Sequence, residues 1–534
     1  MTDSHPPIGD VDARQTHLSQ LYFSPDRVFK LLKPVATPFV SFVDTNDRMV
    51  AATREFDLNY RFAPDVYLGT ADVEEGGDVV DRMIVMRRLP EDRQLDRIVV
   101  EGPDPTRWVR EAAKHVAVIH AAEPAVRGDD AWMAGPDAVL GRWRENFESL
   151  QPLAGPVIPE REFNDVVEYV ERYVRGRQVL FDERIAQGWV RDGHGDLRAE
   201  HVFCEDDGPR LIDCLAFRDD YRIGDVLNDV AFLAMDLNRL AGPELATAFV
   251  HDYCEFSNEH HSSTLAHHYV AYRANVRAKV AAIRLAQGDD SALEELTDYH
   301  QLAWSHLVVG QVRLVLIGGG VGVGKSTVAE RLASRLGATW LRTDEVRKAG
   351  AQRSTEGRAV SDEAISYDQS AQDAVYREML AEAETLLVRG ESVVLDATWS
   401  GPERRDWARD LASRTAALLS EVRLDAPLDV AVARVGQRRD LGVDPSDVTP
   451  ELVGRLHRDF APWPEALVIN TDQSIKTTVG DAWTAVIAGR RTPSHPAPLS
   501  TVHVDRGAVL NYQTIRFYLS RATNLVPPLT DDNP

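Results

Sequence analysis

The sequence predicts two unlike parts, an α+β unit followed by a doubly wound α/β domain, and three observations carry that prediction. A chain of 534 residues is too long for one compact core. Short apolar strand-like runs give way, after Pro105, to apolar residues at three- and four-residue spacing, a helical period. Near residue 312 the pattern changes again, to buried strands alternating with helices. The expected boundaries are a loose tail over 1–18, a first domain over 19–305, a second over 306–490 and an extension over 491–534.

Within the first part, strands are expected at Arg27–Leu31, Phe39–Phe42, Asp65–Leu68 and Met83–Met86, with a helix over Arg54–Phe62. Helices follow over Trp108–Ala121 and Phe163–Gln187. In the second part Val312–Ile317 is a nearly all-apolar strand leading through a glycine-rich turn to a helix over Ser326–Leu336. Further strands are expected at Thr339–Leu341, Ser392–Leu395 and Leu418–Leu424. Arg491, Pro493, Pro496 and Pro498 read as a linker, with a short helix over Asn511–Ala522.

Composition excludes several classes. Sixty Lys and Arg against 84 Asp and Glu give a net charge of -24, which argues against general nucleic-acid binding, because phosphate backbones demand a basic surface. Three cysteines without metal-ligand spacing read as reduced thiols. The first residues lack a basic-then-apolar leader, and no apolar run reaches the ~18 residues of a membrane span. The expectation is a cytoplasmic protein that does not engage a membrane. His260, His261, His267 and His268 fit no metal spacing and read as surface residues.

The strongest motif is Gly319-Gly320-Val321-Gly322-Val323-Gly324-Lys325-Ser326, a G-x-x-x-x-G-K-[ST] pattern between a buried strand and a helix. Its glycines let backbone N–H groups turn inward around phosphates, and the helix N-terminus adds a favourable dipole. Gly319, Gly322, Gly324, Lys325, Ser326 and Thr327 are therefore candidate ATP contacts, with Lys325 reaching the β/γ-phosphates and Ser326 suited to Mg²⁺. After the second strand, Asp344 can accept a proton from an acceptor hydroxyl or cap a helix, and Arg347 can hold an anionic acceptor group. Asp396, ending the third strand, can orient Mg²⁺. Arg434, Arg438 and Arg439 share a helix-compatible run that either closes over the transferring phosphoryl or forms a solvated ion-paired face. Together these residues resemble small P-loop kinases related to polynucleotide, gluconate and adenylate kinases, over about residues 312–490. The resemblance implies Asp344 as base, Arg347 as substrate contact and Arg434, Arg438 and Arg439 as lid arginines.

A second signature is His194-Gly195-Asp196, followed seventeen positions later by Asp213 in Leu211-Ile212-Asp213-Cys214. It resembles aminoglycoside phosphotransferases and other protein-kinase-like small-molecule kinases, over about residues 20–305, and implies a bilobal fold. In that family the first aspartate, here Asp196, orients or deprotonates the acceptor, and the second, Asp213, chelates Mg²⁺. Lys30 would anchor phosphate, with Glu55 as its ion-pair partner, although Lys33 is a close competitor. Arg87-Arg88-Leu89-Pro90 falls where an adenine-binding hinge would lie, and the helix through Asp229 and Asp236 where the metal aspartate is buttressed. His194 suits a loop-holding role better than catalysis.

One departure stands out. Five residues after Asp196 the family carries an asparagine that ligates a second Mg²⁺, whereas this chain has His201, a poorer partner for a hard cation. Either that metal site works differently or the lobe is weakly active. Arg273 and Arg277, four apart on a basic helical stretch, would favour an anionic acceptor if they line the cleft, or would be paired with acidic neighbours. The expected activity is ATP- and Mg²⁺-dependent phosphoryl transfer to a hydroxyl of a small molecule. The alternative is a nucleotide-dependent regulatory or stress protein in which one domain only binds a ligand.

Overall fold

The computed structural model describes residues 12–16, 18–36, 40–347, 369–440, 450–458 and 460–488. The extension at 491–534, with its expected helix at Asn511–Ala522, lies outside them. The chain divides into two compact units, one formed by the chain up to Ala138 with Arg184–His260, the other by Val139–Glu183 with the chain from His261 onward.

In the first unit, β1 (Asp12–Gln15), β2 (Ser19–Phe23), β3 (Arg27–Leu32), β4 (Tyr67–Glu75) and β5 (Asp78–Arg87) form an antiparallel sheet in the order β1-β2-β3-β5-β4. Strand β1 falls within the stretch expected to be a loose tail. The β4–β5 hairpin runs longer than expected because Gly76 and Gly77, both at positive φ, make the tight two-residue turn that twisted strands favour. Of the strand expected at Phe39–Phe42, Phe39 lies outside the described residues, and residues 40–42 form none: Ser41 makes an isolated bridge to Ala36. Pro34 and Pro38 flank this stretch, and proline cannot donate to a ladder.

The helices are α1 (Thr45–Tyr60), α2 (Leu95–Glu101), α3 (Pro105–Ala122), α4 (Pro136–Leu150), α5 (Glu160–Gly176), α6 (Gln178–Gln187), α7 (Asp219–Arg222), α8 (Val226–Ala241), α9 (Pro243–Ser257), α10 (Ser263–Ala286) and α11 (Ala292–Val309). Helix α1 starts nine residues before the expected Arg54, because the Asp44 carboxylate caps it by accepting from the Asn46 and Asp47 amides. Its buried face carries Ala52, Glu55 and Asn59, at three- and four-residue spacing. Val28, Leu32, Ala52, Val66, Ile84 and Met86 share the core beneath the sheet. Short antiparallel pairs join β6 (Val190–Asp192) to β9 (Ile223–Asp225) and β7 (Val202–Glu205) to β8 (Gly208–Leu211). Strand β8 stops at Leu211, so Asp213 stands just past a strand end.

The second unit gathers the helices of 139–183 and 261–309 with a parallel sheet. The expected single helix over Phe163–Gln187 breaks at Arg177, whose buried guanidinium donates to the carbonyls of Gly176 and Thr415. His267 and His268 are buried, not on the surface as expected. The His268 ring stacks on Tyr173 at 4.5 Å and accepts from the Trp143 indole, while His267 shares a hydrogen bond with His306. The sheet comprises β10 (Arg313–Gly318), β11 (Thr339–Arg342), β12 (Val393–Asp396), β13 (Leu418–Asp425) and β14 (Leu467–Asn470), all parallel, in the order β11-β12-β10-β13-β14. Strand β10 is buried along its whole length, as its apolar run requires. The chain winds away from β10 in both directions, so its carboxyl end is the switch point where open α/β sheets bind ligands. Helix α12 (Lys325–Leu336) begins there, and α13 (Gln369–Leu387), α14 (Pro402–Arg414), α15 (Leu428–Asp440), α16 (Pro450–Arg458) and α17 (Ile475–Ala488) follow among the described residues.

Candidate active sites

In the first unit, Lys30 lies mid-strand on β3 and Glu55 on the buried face of α1, which brings Nζ of Lys30 to 2.7 Å from Oε1 of Glu55. The same ammonium donates to the Asp213 carboxylate. Lys33, the competitor, turns out to donate to Gln15 and to the Thr16 carbonyl. Burial works against the charge on Lys30, but Asp213 and Glu55 hold its pKa well above the ordinary lysine value. Desolvation likewise opposes ionisation of Asp213, and Lys30, with His201, overrides it and holds this carboxyl well below the usual range.

Asp213 takes a left-handed backbone conformation, with φ of 63°, which aspartate tolerates better than most residues. Two side chains fix it: Tyr67 Oη accepts from the Asp213 amide at 3.0 Å, and Asn59 Oδ1 accepts from the Cys214 amide at 2.7 Å. The loop bearing Asp196 is held from α8. The Asp229 carboxylate accepts from the His194 and Gly195 amides, and Asp236 accepts from the Ala199 amide at 3.0 Å. A side chain at Gly193 would stand 2.3 Å from Asp229 Oδ2, so only glycine allows this grip. Asp229 and Asp236 therefore brace the loop of Asp196. His194 is buried and its ring donates to the Ile212 carbonyl at 3.0 Å, tying this loop to the Asp213 segment. Burial pushes its pKa down to about 4, which leaves it neutral and structural.

Asp196 and Asp213 meet across His201, whose Nδ1 lies 3.6 Å from Asp196 Oδ2 and whose Nε2 lies 3.7 Å from Asp213 Oδ2. Reading the sequence did not assign Arg198 a role. Its guanidinium grips both Asp196 oxygens, with Nε at 3.1 and 3.2 Å and Nη2 at 3.0 Å, and also donates to Glu200. Its Nη2 lies 3.0 Å from His201 Nε2, while His201 Nδ1 lies 2.8 Å from the Asp196 carbonyl oxygen. Both ring nitrogens are thus engaged, so His201 does not fit the metal-ligand role expected for it. Asp213, half-exposed and ionised, does fit a divalent cation.

The second site surrounds the carboxyl end of β10. Gly319, Gly322 and Gly324 all have positive φ. A Cβ at 319 would fall 2.3 Å from the Leu424 carbonyl oxygen, and one at 322 would fall 2.4 Å from that of Ala431. Helix α12 opens with Lys325, Ser326 and Thr327, so the loop and the first-turn amides form one anion cradle. Lys325 Nζ donates to the Gly320 carbonyl at 2.9 Å. Asp396, buried at the end of β12, is pushed up by desolvation, against the hydrogen bond from Ser326 and the charge of Lys325. A hydroxyl beside a carboxylate under a phosphate cradle fits Mg²⁺.

Asp344 lies in a helical stretch at 343–347, is exposed, and accepts from Arg347 at 3.0 Å; its charge is felt at Asp396. Arg434 on α15 donates to the Thr471 hydroxyl and carbonyl, with Nη1 4.0 Å from where a Gly324 side chain would start. Arg438 and Arg439 continue that helix, but their side chains lie outside the described residues. Arg273 and Arg277 belong to α10 in the second unit, where Arg273 lies over Tyr272 and Arg277 over Tyr299. His457 on α16 also stands beside the glycine cradle, a placement that sequence reading missed. Its ring lies against Gly320, and both ring nitrogens are buried without a hydrogen-bond partner among the described residues. A lone histidine in a short amphipathic helix gives no signal of this.

Family models match both halves. Residues 47–265 match the phosphotransferase enzyme family and residues 314–463 match an AAA domain. The chain joins a kinase-like phosphotransferase domain to a P-loop kinase-like domain, in agreement with the sequence reading. Over 488 residues it is 36% identical to "Uncharacterized protein Rv2004c" of Mycobacterium tuberculosis and, equally, to "Uncharacterized protein Mb2027c" of Mycobacterium bovis, covering 90% of this chain and 97% of each relative. The chain belongs to the family of these mycobacterial proteins. Among solved structures, the GDP and kanamycin complex of APH(2")-IIia is 14% identical with a TM-score of 0.39, covering 55% of this chain and 93% of that one. A gluconokinase from Sinorhizobium meliloti is 20% identical with a TM-score of 0.25, covering 33% and 91%. No helix among the described residues is long and apolar enough to cross a membrane.

Proposed function

We propose that this phosphotransferase uses ATP with Mg²⁺ at two separate sites and transfers the γ-phosphoryl group to a hydroxyl of a small molecule. The observation that carries this reading is the joined set Lys30, Glu55, Asp213 and Asp196: a phosphate-seeking cation held by Glu55, and two further carboxylates within one imidazole's reach of each other. The glycine cradle with Ser326 beside Asp396 supports the same chemistry in the second unit.

At the first site Asp196 would accept the hydrogen bond of the acceptor hydroxyl and take its proton as the new O–P bond forms. The bond from γ-phosphorus to the bridging oxygen breaks, and its electron pair leaves with the β-phosphate. Lys30 would steady the phosphates, and Asp213 would hold the cation. At the second site Lys325 would exchange the Gly320 carbonyl for phosphate oxygens, and Asp344 would serve the acceptor with Arg347 beside it. Bound Mg²⁺ supplies charge neutralisation on the phosphates. Positioning and charge compensation account for such catalysis without a covalent intermediate.

The test is transfer of labelled γ-phosphate from ATP across a panel of hydroxyl-bearing metabolites, with Asp196→Ala and Lys325→Ala run in parallel. Transfer that each substitution abolishes for its own acceptor is expected. Intact nucleotide binding with no transfer to any acceptor would instead make the chain a nucleotide-dependent regulator.

A further inference from the structure

We propose that the first unit's site takes one divalent cation, on Asp213, and that the Arg198 guanidinium occupies the electrostatic place of a second. This rests on the phosphotransferase reading of that site. A carbonyl oxygen can only accept, so the 2.8 Å contact from His201 Nδ1 to the Asp196 carbonyl fixes the ring proton on Nδ1. A guanidinium can only donate, so the 3.0 Å contact from Arg198 Nη2 falls on the remaining lone pair, at Nε2. That pair is the one a cation between Asp196 and Asp213 would need, and Nε2 is the ring atom facing Asp213.

Arg198 is placed to do what such a cation does. It spans both oxygens of Asp196 and is anchored from behind by Glu200, so its charge is fixed beside the proton-accepting carboxylate. A planar, permanently charged group of this kind is weakly hydrated, and the Nη1 hydrogen not given to Glu200 is left as a directional donor for a phosphate oxygen. The His201 substitution and the arginine are then one device, in which the imidazole, accepting rather than ligating, holds the guanidinium in register. Replacing asparagine with histidine without this arginine would leave an empty charge position. With it, a permanent side-chain charge takes the position of an exchangeable ion.

The test counts Mn²⁺ bound in the presence of a non-hydrolysable ATP analogue, in full-length Lys325→Ala/Ser326→Ala protein so that the P-loop does not contribute. One Mn²⁺ per nucleotide is expected, and pulsed EPR of the bound ion should lack a histidine nitrogen coupling. His201→Asn alone should stay at one ion, and Arg198→Ala/His201→Asn should rise to two. Two ions in the unmodified lobe, or a nitrogen coupling, would overturn the proposal while leaving the phosphotransferase reading intact. No nucleotide-dependent Mn²⁺ binding at all would overturn both. The spectroscopic arm needs no substitution in the lobe, so a poorly folding double variant does not decide the outcome.

Discussion

Asp229 braces the loop that carries Asp196, the base proposed for the first site. Asp229→Ala would remove the acceptor from the His194 and Gly195 amides, at about 1–3 kcal/mol for each buried group left without its partner. We expect a lower urea midpoint and loss of transfer at the first site. Unchanged stability with lost transfer would instead mean that Asp229 meets the reactants directly. Lys30→Met should weaken nucleotide binding at that site by roughly tenfold or more, read in the Lys325→Ala background, because no other described lysine replaces its ammonium. Asp196, Asp213, Lys30 and Glu55 were legible in the sequence because their spacing is local or family-typical. Arg198 was in plain view within the same loop, but what it grips depends on rotamers that spacing does not encode. The same holds for His267 and His268, whose burial follows from helices that return from far along the chain.

The glycine-rich turn can be tested as an element, through two neighbouring glycines with different surroundings. At 319 a methyl group would strike the Leu424 backbone and sit at a φ of 135°, so Gly319→Ala should distort the turn itself. At 320 it would strike the ring of His457, the movable end of a side chain. Gly320→Ala should therefore keep the wild-type thermal midpoint and weaken nucleotide binding, whereas Gly319→Ala should lower both. Equal behaviour of the two variants would contradict this. The cradle was readable because strand, turn and helix are consecutive. Helix α16, which delivers His457, follows residues 441–449 that lie outside the described set, and nothing in its own composition points at the turn. The break between α5 and α6 was hidden for a related reason: Arg177 suits a helix locally, and its one distant partner there, the Thr415 carbonyl, is not recorded in local spacing.

The second unit as a whole carries a pH dependence built from its buried histidines. Burial pushes His267 and His300 down to about 4 and His268 down to about 3. Unfolded, each would titrate near ~6.5, so below that pH the unfolded chain binds more protons than the folded one. Stability is then fully present above ~6.5 and falls as the pH drops toward 4, by about 1.4 kcal/mol per pH unit for each titrating histidine. Urea midpoints for this unit should drop clearly between pH 7 and pH 5, and a flat profile would contradict the buried, neutral state of the rings. At this scale the two-part organisation was legible from the change of pattern near residue 312. The grouping of α4, α5, α10 and α11 with the parallel sheet was not, because no local period records which distant surface a helix covers.

Two independent triphosphate sites on one chain are tested most directly by equilibrium binding of a non-hydrolysable ATP analogue with Mg²⁺. Two equivalents are expected for the unaltered protein, one for Lys325→Ala, one for Asp213→Asn and none for the double variant. A single equivalent in the unaltered protein, or loss of both by either single substitution, would contradict this.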